Sequence, residues 1–376
     1  MTDLSAAGDL RIVGIDAARV TFPLRHPVRF GPALYTEREY VLLRLRTDAG
    51  VVGDARAMTR GTPLLEALRP VAERLVGADP LSARTLVRDL RRSNVPGQAA
   101  LSRAHSIADL ALWDLVARAV DAPLHRLLGG AGRERVEALA VSGYLIDVRG
   151  EDAIVDELVQ LKAQGFRHLK LMLGAREPAW MHRFLSRCRE TVGSDVLLSL
   201  DFHFSLASLD EALAVCRPLE ELELAFIEDP FPPLHWRDLR ALAGQLETPL
   251  AAGEDVTDPV MFADLLEGAD LLRVDPSTCG GVEDAVAGIR MAAAAGKPAL
   301  PHGAVLVGTQ LAAAFDAVEL MEVAAPVDTG DRIDELYEGP APQLHGAWLT
   351  VDQTPGVDVR LEWDRVEAAA VSGWSV

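Results

Sequence analysis

The sequence predicts an α/β protein in which a small α+β unit precedes a parallel (β/α) barrel. Three observations support this fold class. Near the N-terminus, apolar and polar residues alternate as in antiparallel strands, and an apolar segment with helical spacing follows. After residue 132 the chain repeats an apolar strand, a loop and an Ala/Leu-rich helix. Eight strands separated by helices imply a parallel sheet that closes into a barrel.

The α+β unit is predicted from the first third of the chain. Residues 10–22 and 40–53 alternate in polarity and are interrupted by an Asp-Ala-Gly turn, which predicts antiparallel pairing. The apolar spacing is helical from Pro63 to Val120 and ends before Asp121-Ala-Pro. We therefore expect this unit to cover residues 1–132.

Eight short apolar segments are the predicted barrel strands. They are residues 136–144, 166–173, 196–200, 224–227, 249–252, 271–274, 298–300 and 318–323. The carboxyl ends of parallel strands meet at one mouth of a barrel, and the catalytic groups of such folds lie there. The residues at these strand ends are therefore the candidates for chemistry.

Ionisable side chains occupy these strand ends. In chain order they are Lys170, Asp201, Glu228, Glu254, Asp275, His302 and Glu322. From the second to the sixth of them, the intervals are 21 to 27 residues, about one strand–helix unit each. The first three carboxylates, with no Cys or His among them, are hard oxygen donors that favour Mg²⁺, with Mn²⁺ as a second choice.

Two histidines are expected at the same mouth. His302 has Asp275 on the neighbouring strand, and a carboxylate that orients an imidazole makes a general base near neutral pH. His203 lies two residues beyond Asp201 and should point to the same place. The remaining histidines have no such neighbours and are expected to be structural: His26, His105, His125, His168, His182, His235 and His345.

Composition and charge exclude several classes of protein. The 376 residues carry 37 Lys and Arg against 56 Asp and Glu, a net charge of −19, so no nucleic-acid partner is expected. Three widely spaced cysteines encode neither a disulfide framework nor a metal-binding pair, which favours a reducing cytoplasm. No apolar run is long enough to span a membrane, and residues 1–10 lack a leader pattern. We expect a cytoplasmic protein without a membrane partner.

Taken together, the motifs resemble the enolase superfamily and, within it, the mandelate racemase-like subgroup (the mandelate racemase/muconate lactonizing enzyme family). The similar segments cover nearly the whole chain and are residues 47–53, 106–114, 123–130, 227–230, 253–254, 275–281, 301–302 and 355–359. The resemblance implies a TIM-type (β/α)7β barrel at residues 133–350. It also implies that residues 351–376 return to complete the N-terminal α+β capping domain.

The resemblance also implies a reaction, abstraction of a proton α to a carboxylate with stabilisation of the resulting enediolate. Asp201, Glu228 and Glu254 are similar to that family's metal ligands. Asp275 and His302 are similar to its base pair on one face of the substrate.

The second predicted barrel strand, residues 166–173, departs from the pattern of the racemising members. Those members carry Lys-x-Lys, with the second lysine as the base on the opposite face, whereas this chain has Lys170-Leu-Met172. A thioether takes no proton, so one base is expected. Lys170 is similar to the lysine that neutralises the substrate carboxylate, and Glu322 to the strand 8 acid that hydrogen-bonds it. Asp201-Phe-His203 resembles the Asp-x-His of acid-sugar dehydratases, in which the histidine protonates the leaving hydroxide.

The function expected from the resemblance is a Mg²⁺-dependent dehydratase of aldonate-like acid sugars, a carbon–oxygen lyase (hydro-lyase). After His203 the chain reads Phe-Ser-Leu rather than the Gly-Arg of galactonate- and mannonate-type dehydratases. Two alternatives therefore stay open. One is a one-base epimerase or cycloisomerase of a hydroxy acid, and the other is a non-catalytic relic that binds metal and sugar acids.

Substrate recognition is expected from the capping loops near residues 20–35 and 54–62, which in this family close over the mouth. The residues that these loops offer to a small-molecule carboxylate are Arg25, Arg29, Tyr35, Arg56 and Arg60. Solvated surface arginines are the alternative. A homo-oligomer is expected, because symmetric assemblies are common among soluble enzymes.

Overall fold

The structure is a computed structural model that describes most of the chain. The described ranges are residues 9–30, 33–93, 98–130, 132–327, 329–338, 342–357 and 360–376. Several predictions lie partly outside the described residues. These parts are residues 1–8, 31–32, 94–97 and 131 of the capping unit and its loops, residues 328 and 339–341 of the barrel range, and residues 358–359 of the C-terminal motif.

An antiparallel sheet forms the N-terminal unit. Its strands are β1 (Ile12–Phe30), β2 (Ala33–Thr47) and β3 (Val52–Met58). The predicted turn, residues 48–50, joins β2 to β3, and β1 pairs along β2. Successive side chains of β2 point to opposite faces of the sheet. Val41 and Leu43 therefore pack in the main hydrophobic core, whereas Leu42 packs in a smaller cluster on the other face. The sheet is therefore covered on both faces.

Helices cover one face of this sheet. They are α1 (Leu64–Ala72), α2 (Pro80–Ser93), α3 (Gln98–Ala119) and the short α4 (Leu124–Leu127). The side chain of Asp114 in α3 is fully buried and accepts hydrogen bonds from the backbone N–H groups of Asp54 at 2.9 Å and Val357 at 2.8 Å. This carboxylate ties α3 both to the sheet and to the C-terminal segment.

Eight parallel strands form the predicted barrel, and each lies within or overlaps a predicted segment. They are β4 (Arg135–Ser142), β5 (His168–Met172), β6 (Leu197–Asp201), β7 (Ile227–Glu228), β8 (Leu250–Ala252), β9 (Leu271–Val274), β10 (Ala299–Pro301) and β11 (Leu320–Ala324). Consecutive strands from β4 to β10 are neighbours, and β11 pairs in parallel with β4. The N–H of Ala299 donates to the carbonyl of Ala317 at 2.8 Å, which places β10 beside the approach to β11. The barrel prediction is confirmed.

Helices connect successive barrel strands. They are α5 (Ile146–Ala163), α6 (Pro178–Val192), α7 (Leu209–Cys216), α8 (Trp236–Ala243), α9 (Met261–Leu265), α10 (Val282–Ala294) and α11 (Val305–Ala314). Some starts follow directly from the sequence: Glu177 caps α6 by accepting from two backbone N–H groups, and Ser208 caps α7. Among the described residues, no helix is long and apolar enough to cross a membrane.

The C-terminal segment returns to the capping sheet as the resemblance implies. After the barrel come β12 (Tyr337–Glu338), β13 (Leu344–His345), β14 (Trp348–Thr350), β15 (Arg360–Leu361), α12 (Trp363–Ala369) and β16 (Ala370–Ser375). β16 pairs antiparallel with β1, so the sheet order is β16-β1-β2-β3. The limits of the units at residues 132 and 350 stay a prediction.

The capping helices dock on a Gly-Gly turn of the barrel. Asp109 in α3 accepts a hydrogen bond from the N–H of Val282 at 2.8 Å, at the start of α10. Gly281 has a positive φ of 105°, and a Cβ atom there would collide with the Asp109 carboxylate. Only glycine fits this close approach, which explains why position 281 is a glycine.

Candidate functional site

The ends of the barrel strands bring four of the predicted residues into one cluster. Lys170, in the middle of β5, lies between carboxylates of three strands. Its Nζ is 2.8 Å from Glu228 Oε2, 2.7 Å from Glu322 Oε2 and 3.3 Å from Asp201 Oδ2. Burial alone would lower the pKa of this lysine, but the three carboxylates raise it well above its usual value. Lys170 is therefore a fixed positive charge at the barrel mouth.

A second buried cation, Arg273 in β9, was not predicted. Its side chain is fully buried, with Nε 2.8 Å from Glu228 Oε1 and Nη2 2.7 Å from Glu322 Oε2. Nη2 is also 3.5 Å from Glu254 Oε2. A charged residue inside the apolar run Leu-Leu-Arg-Val, two positions before Asp275, was the signal available in the sequence.

The two cations control the ionisation of the acids around them. Burial raises the pKa of Glu228 to about 8, although Arg273 and Lys170 pull it down. For Glu322 the balance is opposite: burial raises the pKa, but Arg273 and Lys170 outweigh it and bring the value to about 2. At neutral pH Glu322 is therefore an anion that accepts hydrogen bonds from both cations.

Asp275 and His302 form the predicted pair. Asp275 directly follows β9, and its Oδ2 is 2.9 Å from Nδ1 of His302, which directly follows β10. The N–H of Ser277 donates to the other oxygen of Asp275 at 2.7 Å and so fixes that carboxylate. With Nδ1 oriented by Asp275, the Nε2 nitrogen faces Glu254 Oε2 at 3.6 Å. Burial alone would lower the pKa of the His302 imidazole, but the carboxylates of Glu254 and Asp275 have the larger effect and raise it to about 9.

His203 lies on the other oxygen of the same glutamate. Its Nδ1 is 3.5 Å from Glu254 Oε1, so Glu254 has an imidazole beside each of its carboxylate oxygens. The loop that carries His203 is strained: His203 and Phe204 have positive φ values of 45° and 62°. Asp201 holds this loop, because its Oδ1 accepts from the N–H of His203 at 2.8 Å.

Glu254 itself is positioned by a glycine. It lies two residues beyond β8, after Gly253, whose φ is 130°. A Cβ atom on Gly253 would lie 2.5 Å from the carbonyl oxygen of Arg273, so the strands approach too closely for any side chain there. The Gly-Glu motif thus fixes where the carboxylate enters the mouth.

The acidic cluster is suited to a divalent cation. Oxygens of Glu228, Asp229 and Glu254 lie within 4.8 Å of one another, and all three residues are buried. Asp229 was not predicted. Both of its carboxylate oxygens are buried without a hydrogen-bond partner, and burial followed by the neighbouring acids raises its pKa well above the usual value. The predicted ligand Asp201 adjoins this group, because Lys170 contacts both Asp201 and Glu228.

Charge counting supports the same ion. The cluster holds four carboxylates that the sequence predicted at strand ends, and they face the two cations Lys170 and Arg273. These carboxylates outnumber the two cations, so the cluster has an excess of negative charge that a divalent cation would compensate. Carboxylate oxygens without thiolate or imidazole ligands are the donors that Mg²⁺ prefers.

The predicted substrate-binding residues of the cap separate into two groups. Arg60 is near the acidic mouth: its Nη1 is 2.6 Å from Asp255 Oδ1. Burial alone would lower the pKa of Arg60, but Asp255, Glu254 and Asp275, and to a smaller extent Tyr35, raise it above its usual value. Arg56 stacks on the Tyr337 ring, 5.2 Å from its centroid, in the smaller core cluster.

The other two cap arginines lie along the β1 hairpin. The backbone N–H of Arg25 donates to the carbonyl of Thr329 at 2.9 Å, which attaches the hairpin to the loop after β11. Arg29 is close enough to Asp147, near the start of α5, to lower its pKa, although the Arg176 side chain has the larger effect.

Met172 packs in the interior of the barrel. Its side chain is 7% exposed and belongs to an apolar cluster with Leu139, Val141, Phe226, Ala251 and Leu300. The position two residues beyond Lys170 is therefore apolar, and no base replaces the missing lysine in this cluster.

Two family models match the chain. Residues 13–129 match the model of the mandelate racemase/muconate lactonizing enzyme N-terminal domain. Residues 153–365 match the enolase C-terminal domain-like model, which covers more than half of the chain.

Curated relatives and solved structures are similar over most of their length. An arabinonate dehydratase of Saccharolobus solfataricus is 28% identical over 256 residues, 66% of this chain and 67% of that protein. A D-galactonate dehydratase of Ralstonia nicotianae is 30% identical over 276 residues, 70% of this chain and 71% of that protein. The crystal structure of an enolase from the alphaproteobacterium BAL199 with bound Mg has a TM-score of 0.84 at 27% identity, covering 96% of this chain and all of that one.

Proposed function

Because this chain belongs to the mandelate racemase/muconate lactonizing enzyme family of the enolase superfamily, we propose that it is a Mg²⁺-dependent dehydratase of acid sugars. The chain is a carbon–oxygen lyase of the hydro-lyase class. The proposal adds the acid-sugar substrate, the metal and the residues that act.

One observation carries the proposal: the two oxygens of Glu254 each face an imidazole, His302 at 3.6 Å and His203 at 3.5 Å. Dehydration next to a carboxylate needs a base for the C2 proton and an acid for the departing 3-hydroxyl. The site offers one histidine for each task. Met172 excludes the lysine base of a racemase, and His203 supplies a proton donor that a single base would lack.

His302 is the base in this mechanism, and it acts in its neutral form. A cation held by Glu254 would favour that form, because the charge of Glu254 is the largest single cause that raises the imidazole pKa. In the neutral form Nδ1 donates to Asp275, so Nε2 carries the lone pair that takes the C2 proton. The electron pair of the broken C–H bond first moves into the carboxylate, which gives an enediolate, and then forms a C2–C3 double bond as the 3-hydroxyl leaves. His203 donates a proton to that oxygen, which departs as water, and the enol tautomerises to a 2-keto-3-deoxy acid.

The carboxylate of the substrate binds among fixed charges. Lys170 offers a compensating ammonium, held in place by Glu228 and Glu322. Asp201, Glu228 and Glu254 would hold the Mg²⁺ ion, with Asp229 beside them. When bound, the ion supplies positive charge that stabilises negative charge developing on the substrate carboxylate.

A carbonyl-reagent screen tests the proposal. Purified protein with Mg²⁺ is incubated with a library of mono- and diacid sugars, and keto acid formation is measured. His302→Asn should abolish both keto acid formation and exchange of the C2 proton in D₂O. His203→Asn should lower keto acid formation by about 10²- to 10⁴-fold while retaining C2 exchange. His182→Asn, at a surface histidine paired with Glu221, is the matched control.

The same assay decides between the alternatives. His203 could also return a proton to C2, so an epimerase would show C2 exchange and a new stereoisomer without keto acid. A relic would bind acids without exchange in either the parent protein or His302→Asn. Keto acid formation that persists in His302→Asn would contradict the proposed mechanism.

A further inference from the structure

One short loop of the barrel mouth carries Asp275, the carboxylate that orients His302. This loop, residues 275–281, joins β9 to α10 and ends in the Gly-Gly turn. Its first part is a tight turn, because the carbonyl of Asp275 accepts from the N–H groups of Thr278 and Cys279, each at 3.0 Å. The side chain of Thr278 reaches from this turn to the adjacent loop, which carries Glu254.

The Thr278 hydroxyl links these two loops. Its Oγ1 is 2.8 Å from the carbonyl oxygen of Glu254 and 3.0 Å from that of Asp275. A hydroxyl donates a single proton, and the Asp275 carbonyl already accepts from two N–H groups, so Thr278 donates to Glu254. Thr278 is only 2% exposed, so bulk water does not replace this hydrogen bond.

The capping helix α3 contacts the same two loops from outside the barrel. Ser102 Oγ donates to the carbonyl of Thr257, in the loop after β8. One turn later, Ser106 Oγ accepts from the N–H of Gly280 at 2.9 Å. The cap therefore anchors the outer part of each loop, whereas the Thr278 contact lies next to the predicted catalytic carboxylates.

The two loops hold different parts of the proposed reaction. Glu254 is one of the carboxylates expected to hold Mg²⁺, whereas Asp275 orients the imidazole that takes the C2 proton. Nε2 of that imidazole, in His302, faces Glu254 Oε2 at 3.6 Å. The distance between the loops therefore sets the distance between the base and the place where the substrate binds. A displacement of about 1 Å at a reacting centre can cost about 10²-fold in rate.

We propose that Thr278 is a positioning residue that holds the Asp275–His302 pair in register with Glu254. This inference rests on the proposed function and adds a residue on which the reaction depends without contact to the substrate. Thr278 acts through the backbone, because its hydroxyl joins the Glu254 carbonyl to the turn that begins at Asp275. Removing the hydroxyl takes this donor away from a buried carbonyl and lets one loop shift against the other.

The imidazole of His302 reports on this position without substrate or metal. In protein with isotope-labelled histidine, the N–H proton that donates to Asp275 is identified by its loss in His302→Asn. Thr278→Val keeps the side-chain shape and removes the hydroxyl, and we expect it to move this resonance upfield, as for a longer hydrogen bond. Thr278→Ser keeps the hydroxyl and should restore the parent position. Thr309→Val is the matched control, because Thr309 is also buried and donates to the carbonyl of Leu306 at 2.8 Å within α11.

Kinetics measure the same effect, with Mg²⁺ and the acid sugar that gives the highest rate in the screen. Thr278→Val should lower C2 exchange and keto acid formation together, by about 10- to 100-fold in kcat, because both steps depend on the base. KM should change by less than about threefold, because the groups that bind the substrate are retained. Thr278→Ser should recover most of the loss, and Thr309→Val should behave like the parent protein.

A Thr278→Val protein that matches the Thr309→Val control in resonance or in rate overturns the inference. So does a loss of rate that Thr278→Ser does not recover, since the methyl group and not the hydroxyl would then matter. A rise in KM with unchanged kcat also counts against it, because that result indicates weaker substrate binding. If Thr278→Val does not fold, Thr278→Ala replaces it, because Thr278→Ala and Thr278→Ser differ only in the hydroxyl.

The two measurements separate this inference from the proposed function. If the resonance responds as expected but the parent protein forms no keto acid from any acid sugar, Thr278 positions His302 and the dehydratase proposal fails. If keto acid is formed and Thr278→Val matches its control, the inference about Thr278 fails alone.

Discussion

Replacing Arg273 by methionine should destabilise the protein strongly, because this guanidinium compensates several buried carboxylates at once. It lies 2.8 Å from Glu228 Oε1 and 2.7 Å from Glu322 Oε2, and both Arg273 and Glu228 are fully buried. Removing one partner of a buried ion pair leaves an uncompensated charge and typically costs about 3–5 kcal/mol. Methionine fills much of the volume, so a cavity contributes little. We expect the free energy of unfolding to fall by about that amount.

Equilibrium unfolding in urea, without divalent cations, is the suitable measurement. Arg273→Lys keeps a positive charge and should lose less than the methionine variant. Arg217→Met, at an exposed arginine that donates to Gln245, is the control and should change stability by less than about 0.5 kcal/mol. In the double variant with Glu322→Gln, one of the orphaned charges is gone, so about 1–2 kcal/mol of the loss should be recovered.

The outcome that contradicts this reasoning is specific. If Arg273→Met and Arg217→Met lose the same small amount of stability, the guanidinium does not compensate the cluster. If Glu322→Gln adds further loss to Arg273→Met instead of restoring stability, Glu322 is not the orphaned charge.

Three further predictions concern the cap, the metal and the barrel interior. Burial raises the folded-state pKa of Asp109 to about 7 from its usual 3.8, so the folded state holds that proton more tightly, and stability present below about pH 4 is lost as pH rises through 7. Asp109→Asn should therefore flatten the decline in melting temperature between pH 5 and pH 8; an unchanged pH profile would refute this. Adding Mg²⁺ should raise the melting temperature of the parent protein, EDTA should reverse the rise, and Glu228→Gln should remove most of it; a full rise in that variant would show that the ion binds elsewhere. Met172→Leu should change kcat/KM by less than about threefold, because the thioether is a packing group; a loss above tenfold would give Met172 a role in the reaction.

The fold was predictable because its signals are local. The segment 271–274 is both the predicted and the observed strand β9, and the segment 249–252 contains β8. Strand alternation and short apolar runs between helices recur often enough to define a barrel. The strand ends were less well predicted: β7 is two residues long, whereas the apolar segment 224–227 predicts a strand of four residues.

The site was predictable where strand order alone determines proximity. Lys170, Glu228 and Glu322 meet because parallel strands bring their carboxyl ends together. Arg273 was missed because it lies within a strand, where a charged side chain looks like an interruption of the apolar run. Its partners are on or just beyond three other strands, which the local sequence does not reveal.

Charge complementarity indicates how the barrel mouth would hold both an ion and a substrate. The carboxylates around Lys170 and Arg273 outnumber these two cations, and a divalent cation would neutralise the excess negative charge. A bound substrate then adds one carboxylate beside Lys170. When His302 takes the C2 proton, one negative charge develops on the substrate and one positive charge forms on the imidazole. The proton transfer therefore separates charge without changing its total, which is the situation that fixed cations and a bound ion stabilise.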